Sequence, residues 1–253
     1  MAAITGATGS VTSWAGAANT LLIATSSAPS SFTINYSADE MDTTGFAATN
    51  SMTAIAGLKT WSGSISTRYQ AAQIGAAGSV TYASGDVLNT NAWQMSMASA
   101  AKETTAFGAS VKSFIPSLLN WSGSYSGYYD GTTALTGLGV DPPAAASFAL
   151  DGTRSLIGAI TITSQSVSSS PAEVVTVQQG FKGSGALAGL GASGFFAASE
   201  VLIPVVGSLV LSSSTGQTFT GNAFWTSLTV VCPVAGLVTM EIGFQGTGAL
   251  TIA

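Results

Sequence analysis

The chain has 253 residues, a formal net charge of −5 and a pI near 4.3; 46% of its residues are hydrophobic and only 7% charged. About a quarter of an average soluble domain is charged, so the polar surface here must come mainly from Ser, Thr, Asn, Gln and backbone, and such a surface associates with little self-repulsion. Six basic residues scattered singly (Lys59, Arg68, Lys102, Lys112, Arg154, Lys182) exclude a basic nucleic-acid-binding face, and a single cysteine excludes an intrachain disulfide framework.

In chain order, Met1 to Gly16 has neither a basic leader nor a sustained apolar core and does not read as a secretory signal. Ser31 to Tyr36 alternates through Phe32, Ile34 and Tyr36, which predicts a half-buried strand. Asp39, Glu40 and Asp42 follow and are expected in a solvated loop or against a basic group on a neighbouring subunit. A short helix is expected near Met52 to Leu58, then a strand from Trp61 to Tyr69. A second short helix is expected near Ser110 to Leu119, held to a turn or two by Pro116. Gly127 to Asp130 reads as a strand ending in a turn. Leu156 to Thr163, Glu173 to Gln178, Val205 to Leu211, Leu228 to Cys232 and Leu237 to Phe244 complete the strands. Cys232 lies in an apolar run and is expected to be a buried small hydrophobe. The apolar stretch Val201 to Leu211 is broken by Pro204 and Gly207 and falls far short of the about twenty residues a spanning helix needs. A porin-like barrel is disfavoured because the five tryptophans stand singly rather than in girdles. The fold class is therefore all-β with short helices, and no membrane insertion is expected.

Internal repetition is the sharper signal. Trp61-Ser62-Gly63-Ser64 returns sixty residues later as Trp121-Ser122-Gly123-Ser124, each copy preceded by an acidic, Thr-containing stretch, from Glu40 and from Glu103. In the other half, Phe181-Lys182-Gly183-Ser184-Gly185-Ala186-Leu187 matches Phe244-Gln245-Gly246-Thr247-Gly248-Ala249-Leu250, and Gly158 to Thr163 resembles Gly221 to Val230. Two arrangements fit the order of the copies. In the one adopted, an inner β unit of residues 71–190 sits inside an outer unit split into 1–70 and 191–253, with crossings near Gly75–Gly78 and Gly189–Gly194. In the other, related strands interleave in one enlarged sandwich. Either way Trp61, Trp121, Phe181 and Phe244 are expected at related core positions. Gly63, Gly123, Gly183 and Gly246 would permit a bulge or the close approach of a neighbouring layer.

Nothing in the chain reads as catalytic. The absence of histidine removes imidazole-based triads and most hydrolytic zinc sites. The Asp39, Glu40, Asp42 cluster lacks calcium-loop spacing, and sequence proximity does not set two carboxylates facing each other as glycosidase chemistry requires. Gly6-Ala7-Thr8-Gly9 and Gly183-Ser184-Gly185 match no phosphate-binding fingerprint. No enzyme activity, metal or cofactor is expected.

The segment Glu103 to Gly131, with Glu-Thr-Thr-x-Phe-Gly, Ile115-Pro116 and Trp121-Ser122-Gly123-Ser124-Tyr125, resembles the major tail tube proteins of long-tailed bacteriophages. Phe244 to Leu250, repeated at Phe181 to Leu187, is similar to that family's last strand. The chain departs from the pattern in its second copy, in Arg68 where the second copy has Tyr128, and in its low charge. The resemblance implies a β-sandwich whose sheets continue into its neighbours around a ring. It implies rings stacked head to tail into a conduit that DNA crosses without sequence-specific contact, in a virion tail assembled in the host cytoplasm, with other tail proteins at the tube ends. Family rings are six-fold, so a duplicated chain is expected to close as a trimer with pseudo-six-fold symmetry, the alternative being a hexamer of an enlarged domain. The rival readings are a minor tail protein and a surface adhesin that binds a receptor or glycan on Tyr125, Tyr128 and Tyr129.

Overall fold

The computed structural model describes residues 10–15, 31–43, 54–68, 79–82, 85–86, 89–129, 143–150, 155–170, 173–190, 204–213, 215–233 and 238–253. Thirteen strands account for most of them: β1 Ser10–Ala15, β2 Ser31–Asp42, β3 Ala54–Arg68, β4 Val80–Tyr82, β5 Gly85–Asp86, β6 Asn89–Glu103, β7 Phe114–Tyr128, β8 Ala144–Ala149, β9 Ser155–Ser168, β10 Thr176–Leu190, β11 Gly207–Ser212, β12 Thr218–Pro233 and β13 Thr239–Ile252. Eleven form one continuous antiparallel path, β2-β3-β13-β12-β6-β7-β10-β9-β8-β4-β5, and β11 and β1 branch from the amino-terminal half of β12.

The two-residue alternation of the sequence sets which side of this sheet is apolar. Trp61, Ile65 and Thr67 of β3, Met240, Ile242 and Phe244 of β13, and Trp93, Met95 and Met97 of β6 are all buried on one face. Residues between them, such as Ser62, Ser64 and Ser66, turn to the other face. The apolar face closes on itself because the sheet curls. Phe148 of β8 lies 5.7 Å from the ring of Trp93 and 4.8 Å from that of Phe181, although neither β6 nor β10 is its ladder neighbour. The Trp93 indole also donates to the Ala149 carbonyl across the same gap, at 3.0 Å.

Both expected helices are strands. Ala54–Leu58 belongs to β3 and pairs with the end of β2; residues 52 and 53 lie outside the described set. Phe114–Leu119 opens β7 opposite Ser99–Glu103 of β6, after an irregular Ser110–Ser113. Each segment extends a long ladder along one edge, with β2 or with β6, whereas a helix of one or two turns would leave most of its backbone groups unpaired. Pro116 is accommodated where the β6–β7 register shifts, opposite Ala101, and beyond the last pairing of β7 with β10. The acidic cluster is likewise on strand β2 rather than in a loop, and Asp39 meets Lys112 of its own chain at 2.8 Å. Tyr69, Gly75–Gly78, Gly191–Gly194 and the amino-terminal segment to residue 9 lie outside the described residues.

Candidate functional site

The repeated sequence positions meet in two pockets of the same construction. In one, the Trp61 ring covers Gly246 and Gly221, its Nε1 donates to the Gly248 carbonyl at 3.1 Å, and Phe244 covers Gly63. In the other, Trp121 covers Gly183 and Gly158, donates to the Gly185 carbonyl at 3.1 Å, and Phe181 covers Gly123. The ring pairs are edge-on at 6.0 Å and 6.1 Å. A Cβ on Gly183 or Gly246 would sit 2.0 Å from indole carbon Cε2, so glycine is required there by the close approach of the ring. Gly185 and Gly248 share a second requirement, with φ of 74° and 78°. The glycine walls at Gly158 and Gly221 are the part that sequence reasoning missed, although each opens one of the two similar segments it compared.

The ladders around the pockets coincide in their irregularities. The β9–β10 register shifts at Gly180/Phe181 and at Ser184/Ala188; β12–β13 shifts at Gly243/Phe244, opposite Ser227/Trp225, and at Thr247/Thr251, opposite Asn222/Thr220, positions that lie sixty-three residues on. The β2–β3 shift at Ala38/Glu40 has its counterpart in β6–β7 at Ser99/Ala101. One difference stands out against this agreement. Where the first pocket continues into apolar Ile65, Ile242 and Leu228, the second has a polar chain. Buried Tyr125 donates to Gln179 Oε1, and Gln179 Nε2 donates to Gln165 Oε1 at 2.8 Å. Burial pushes the Tyr125 phenol well above its ordinary range, so it remains a donor.

The opposite face of the run from β2 to β9 is open and almost uncharged. β3 presents Ser62, Ser64 and Ser66, β7 presents Ser122, Ser124 and Ser126, and β9 presents Ser164, Ser166 and Ser168. Where Ser62–Ser66 and Ser122–Ser126 pair, the charged residues of this face among those described are Glu241 of β13 and Lys182 of β10, with Arg68 at the next same-face register position of β3 beyond Ser66. A shallow depression of about 210 Å³ on this face is lined by Gln94, Ser124, Ser126, Gln178 and Val231 among others. The tyrosine cluster is split between faces: Tyr125 is in the core, whereas Tyr128 is 42% exposed.

Beyond the sheet, the loop from β6 to β7 lies on the first group of strands. Lys112 N–H donates to the Lys59 carbonyl at 2.9 Å, Gly248 N–H donates to the Lys112 carbonyl at 3.0 Å, and the Lys112 ammonium holds Asp39. The hydrogen bond to Asp39 raises the Lys112 pKa, against a smaller opposing effect of desolvation. Cys232 is fully buried, and desolvation pushes its thiol up to about 11. Among the described residues no three His, Cys, Asp or Glu side chains cluster as metal ligands would. No protein-family model and no curated protein matches the chain.

Proposed function

We propose that this chain is a non-enzymatic structural subunit of a bacteriophage tail tube, built from two related β-sandwich units, β1–β3 with β11–β13 and β4–β10. The open face of the β2-to-β9 run carries the reading. It is a broad wall of hydroxyls and amides with hardly any charge, which is what a conduit for DNA needs. Lysines on such a wall would bind phosphate through counterion release and hold the genome; carboxylates in number would repel it. The matched pockets and matched register shifts support the two-unit division, and with it a ring of three copies in place of six single units.

The dimensions agree. Each copy supplies the eight strands from β2 to β9, so three supply twenty-four. At about 4.8 Å between strands and a tilt of about 40°, such a barrel has a backbone diameter of roughly 50 Å. Its side chains leave an opening wider than a nucleic-acid duplex. Stacked rings would form the tube, with other tail proteins capping its ends in the virion. Of the three tyrosines an adhesin would use, Tyr125 is core while Tyr128 and Tyr129 lie nearer the surface, which favours the tube over the adhesin reading.

Negative-stain and cryo-electron microscopy of the concentrated protein test the reading. Hollow striated tubes about 100 Å wide, the barrel plus an outer layer about 10 Å away on each side and its loops, are expected with three chains per ring. Discrete particles at every concentration would overturn the tube. Six full-length chains per ring would overturn the trimer and keep the tube.

A further inference from the structure

Strand β12 has two neighbours on the side away from β13: β11 along Thr218–Ala223 and β6 along Ser227–Pro233. Strand β9 repeats the first half of this arrangement, with β8 along Ser155–Ile160. Its remaining length, Thr161–Ser168, pairs only with β10 among the described residues. At the other end of the run, β2 pairs with β3, but among the described residues no strand occupies its second edge, where the corresponding strand β6 meets β12. The chain thus holds one completed joint, β12 with β6, and the two separated halves of another. Six strands lie between those halves, and they do not meet within the chain.

The geometry points to a second copy of this chain as the occupant: β9 of one copy adds antiparallel to β2 of the next, in the register of the internal β12–β6 joint. That joint pairs Ser227 with Ala98, Leu228 with Met97 and Val230 with Met95. Carried over through the matched ladders, it pairs Ser164 with Ser37, Gln165 with Tyr36, Ser166 with Asn35 and Val167 with Ile34. This assignment rests on the self-assembling ring of the proposed function and names the contact that closes it.

Two features of the side chains favour a second copy in this register over another protein. Val167 is 51% exposed and Tyr36 is 40% exposed, whereas their counterparts Val230 and Met97 are fully buried in the completed joint. The open halves carry apolar surface that the internal joint shows how to cover. The second feature is the change from apolar to polar. In the internal joint Leu228 faces Met97, with Ile242 and Ile65 behind. In the open joint Gln165, backed by Gln179 and Tyr125, would face Tyr36. Both sides have changed character together, so each phenol and amide finds a polar partner. The contact is head-to-tail, the kind whose repetition generates a ring when its rotation closes.

Cysteine pairs read the register. Directly opposed residues in an antiparallel ladder have Cα atoms about 4.5–5.5 Å apart, within the disulfide range, while a two-residue shift puts them at roughly 8 Å, outside it. Ser166→Cys with Asn35→Cys should therefore give, on mild oxidation, a covalent ladder ending at the closed ring. Ser166→Cys with Ser37→Cys should cross-link at least tenfold more slowly. Cys232 is buried and can stay in both proteins. Val167→Glu, at a side chain already half exposed, should leave the melting temperature of the monomer unchanged and abolish assembly. Rings that form while the matched pair fails to cross-link, or cross-links no faster than the shifted pair, would overturn the joint and leave the ring standing. A wild-type protein that never assembles would overturn both.

Discussion

Replacing Gly183 by alanine adds one methyl group and tests how the second pocket is held. The new Cβ would lie 2.0, 2.1 and 2.5 Å from Cε2, Cδ2 and Nε1 of Trp121. Comfortable carbon contacts are about 3.5–4.0 Å, so ring and strand must separate by roughly 1.5 Å. The indole has no slack: Gly158 already has the opposite part of the ring within contact, Phe181 stands edge-on, and Nε1 is tied to Gly185. Overpacking typically costs about 1–3 kcal/mol, and losing the indole hydrogen bond adds about 1 kcal/mol. We expect about 3 kcal/mol in all. In a chain of this size that lowers the melting temperature by roughly 6–12 °C, read by circular dichroism or by urea titration at constant slope. Trp121→Phe removes two of the three colliding atoms, Cε2 and Nε1, so the alanine should cost at least 1 kcal/mol less in that background. A Gly183→Ala protein within about 0.5 kcal/mol of wild type, or one whose penalty is the same with Phe at 121, would refute the steric account.

Trp121→Ala and Trp61→Ala should each cost about 3–5 kcal/mol, since both rings are buried, and soluble yield together with urea midpoint would report it; wild-type melting in either would remove that tryptophan from the core. Cys232 should resist alkylation by iodoacetamide at pH 8 and react once urea unfolds the chain. Its folded pKa, about 11, lies above the ordinary 9.0, so its contribution to stability is complete below pH 9 and is lost as pH rises through 11; a urea midpoint unchanged between pH 8 and 11 in wild type relative to Cys232→Ala would contradict this.

Most strands were legible because alternation and β-branched runs are local. Ser31 to Tyr36, Leu156 to Thr163 and Leu228 to Cys232 all lie within the strands β2, β9 and β12. Pairing partners were not, because nothing local says that Ser62 lies opposite Gln245. The two helix expectations failed for a related reason. Val111, Phe114, Ile115, Leu118 and Leu119 have helical spacing, but in β7 that spacing leaves Ile115 and Leu118 exposed on a strand whose backbone is fixed by β6. Of the candidate site, the repeated Trp, Phe and Gly positions could be read from sequence, since interlocked aromatics and glycines leave a spelling. The Tyr125–Gln179–Gln165 chain could not, because its three members come from three strands and mimic no motif. The near absence of charge on the open face was visible only as a composition until alternation was tied to one side of the sheet.

The internal β3–β13 ladder also governs when the chain can fold. Ser122 of β7 pairs with Lys182 of β10, whereas Ser62 of β3 must wait for Gln245 of β13. The second closure spans roughly three times as many residues, which costs about 1 kcal/mol more in loop entropy. A ribosome emitting this polypeptide releases β6, β7, β9 and β10 well before β12 and β13. The middle strands can consolidate while β2 and β3 remain a lone hairpin, too small to persist in water. Only β13 gives that hairpin a ladder to rest on, so the edge offered by β2 matures after the middle strands have already been released and paired.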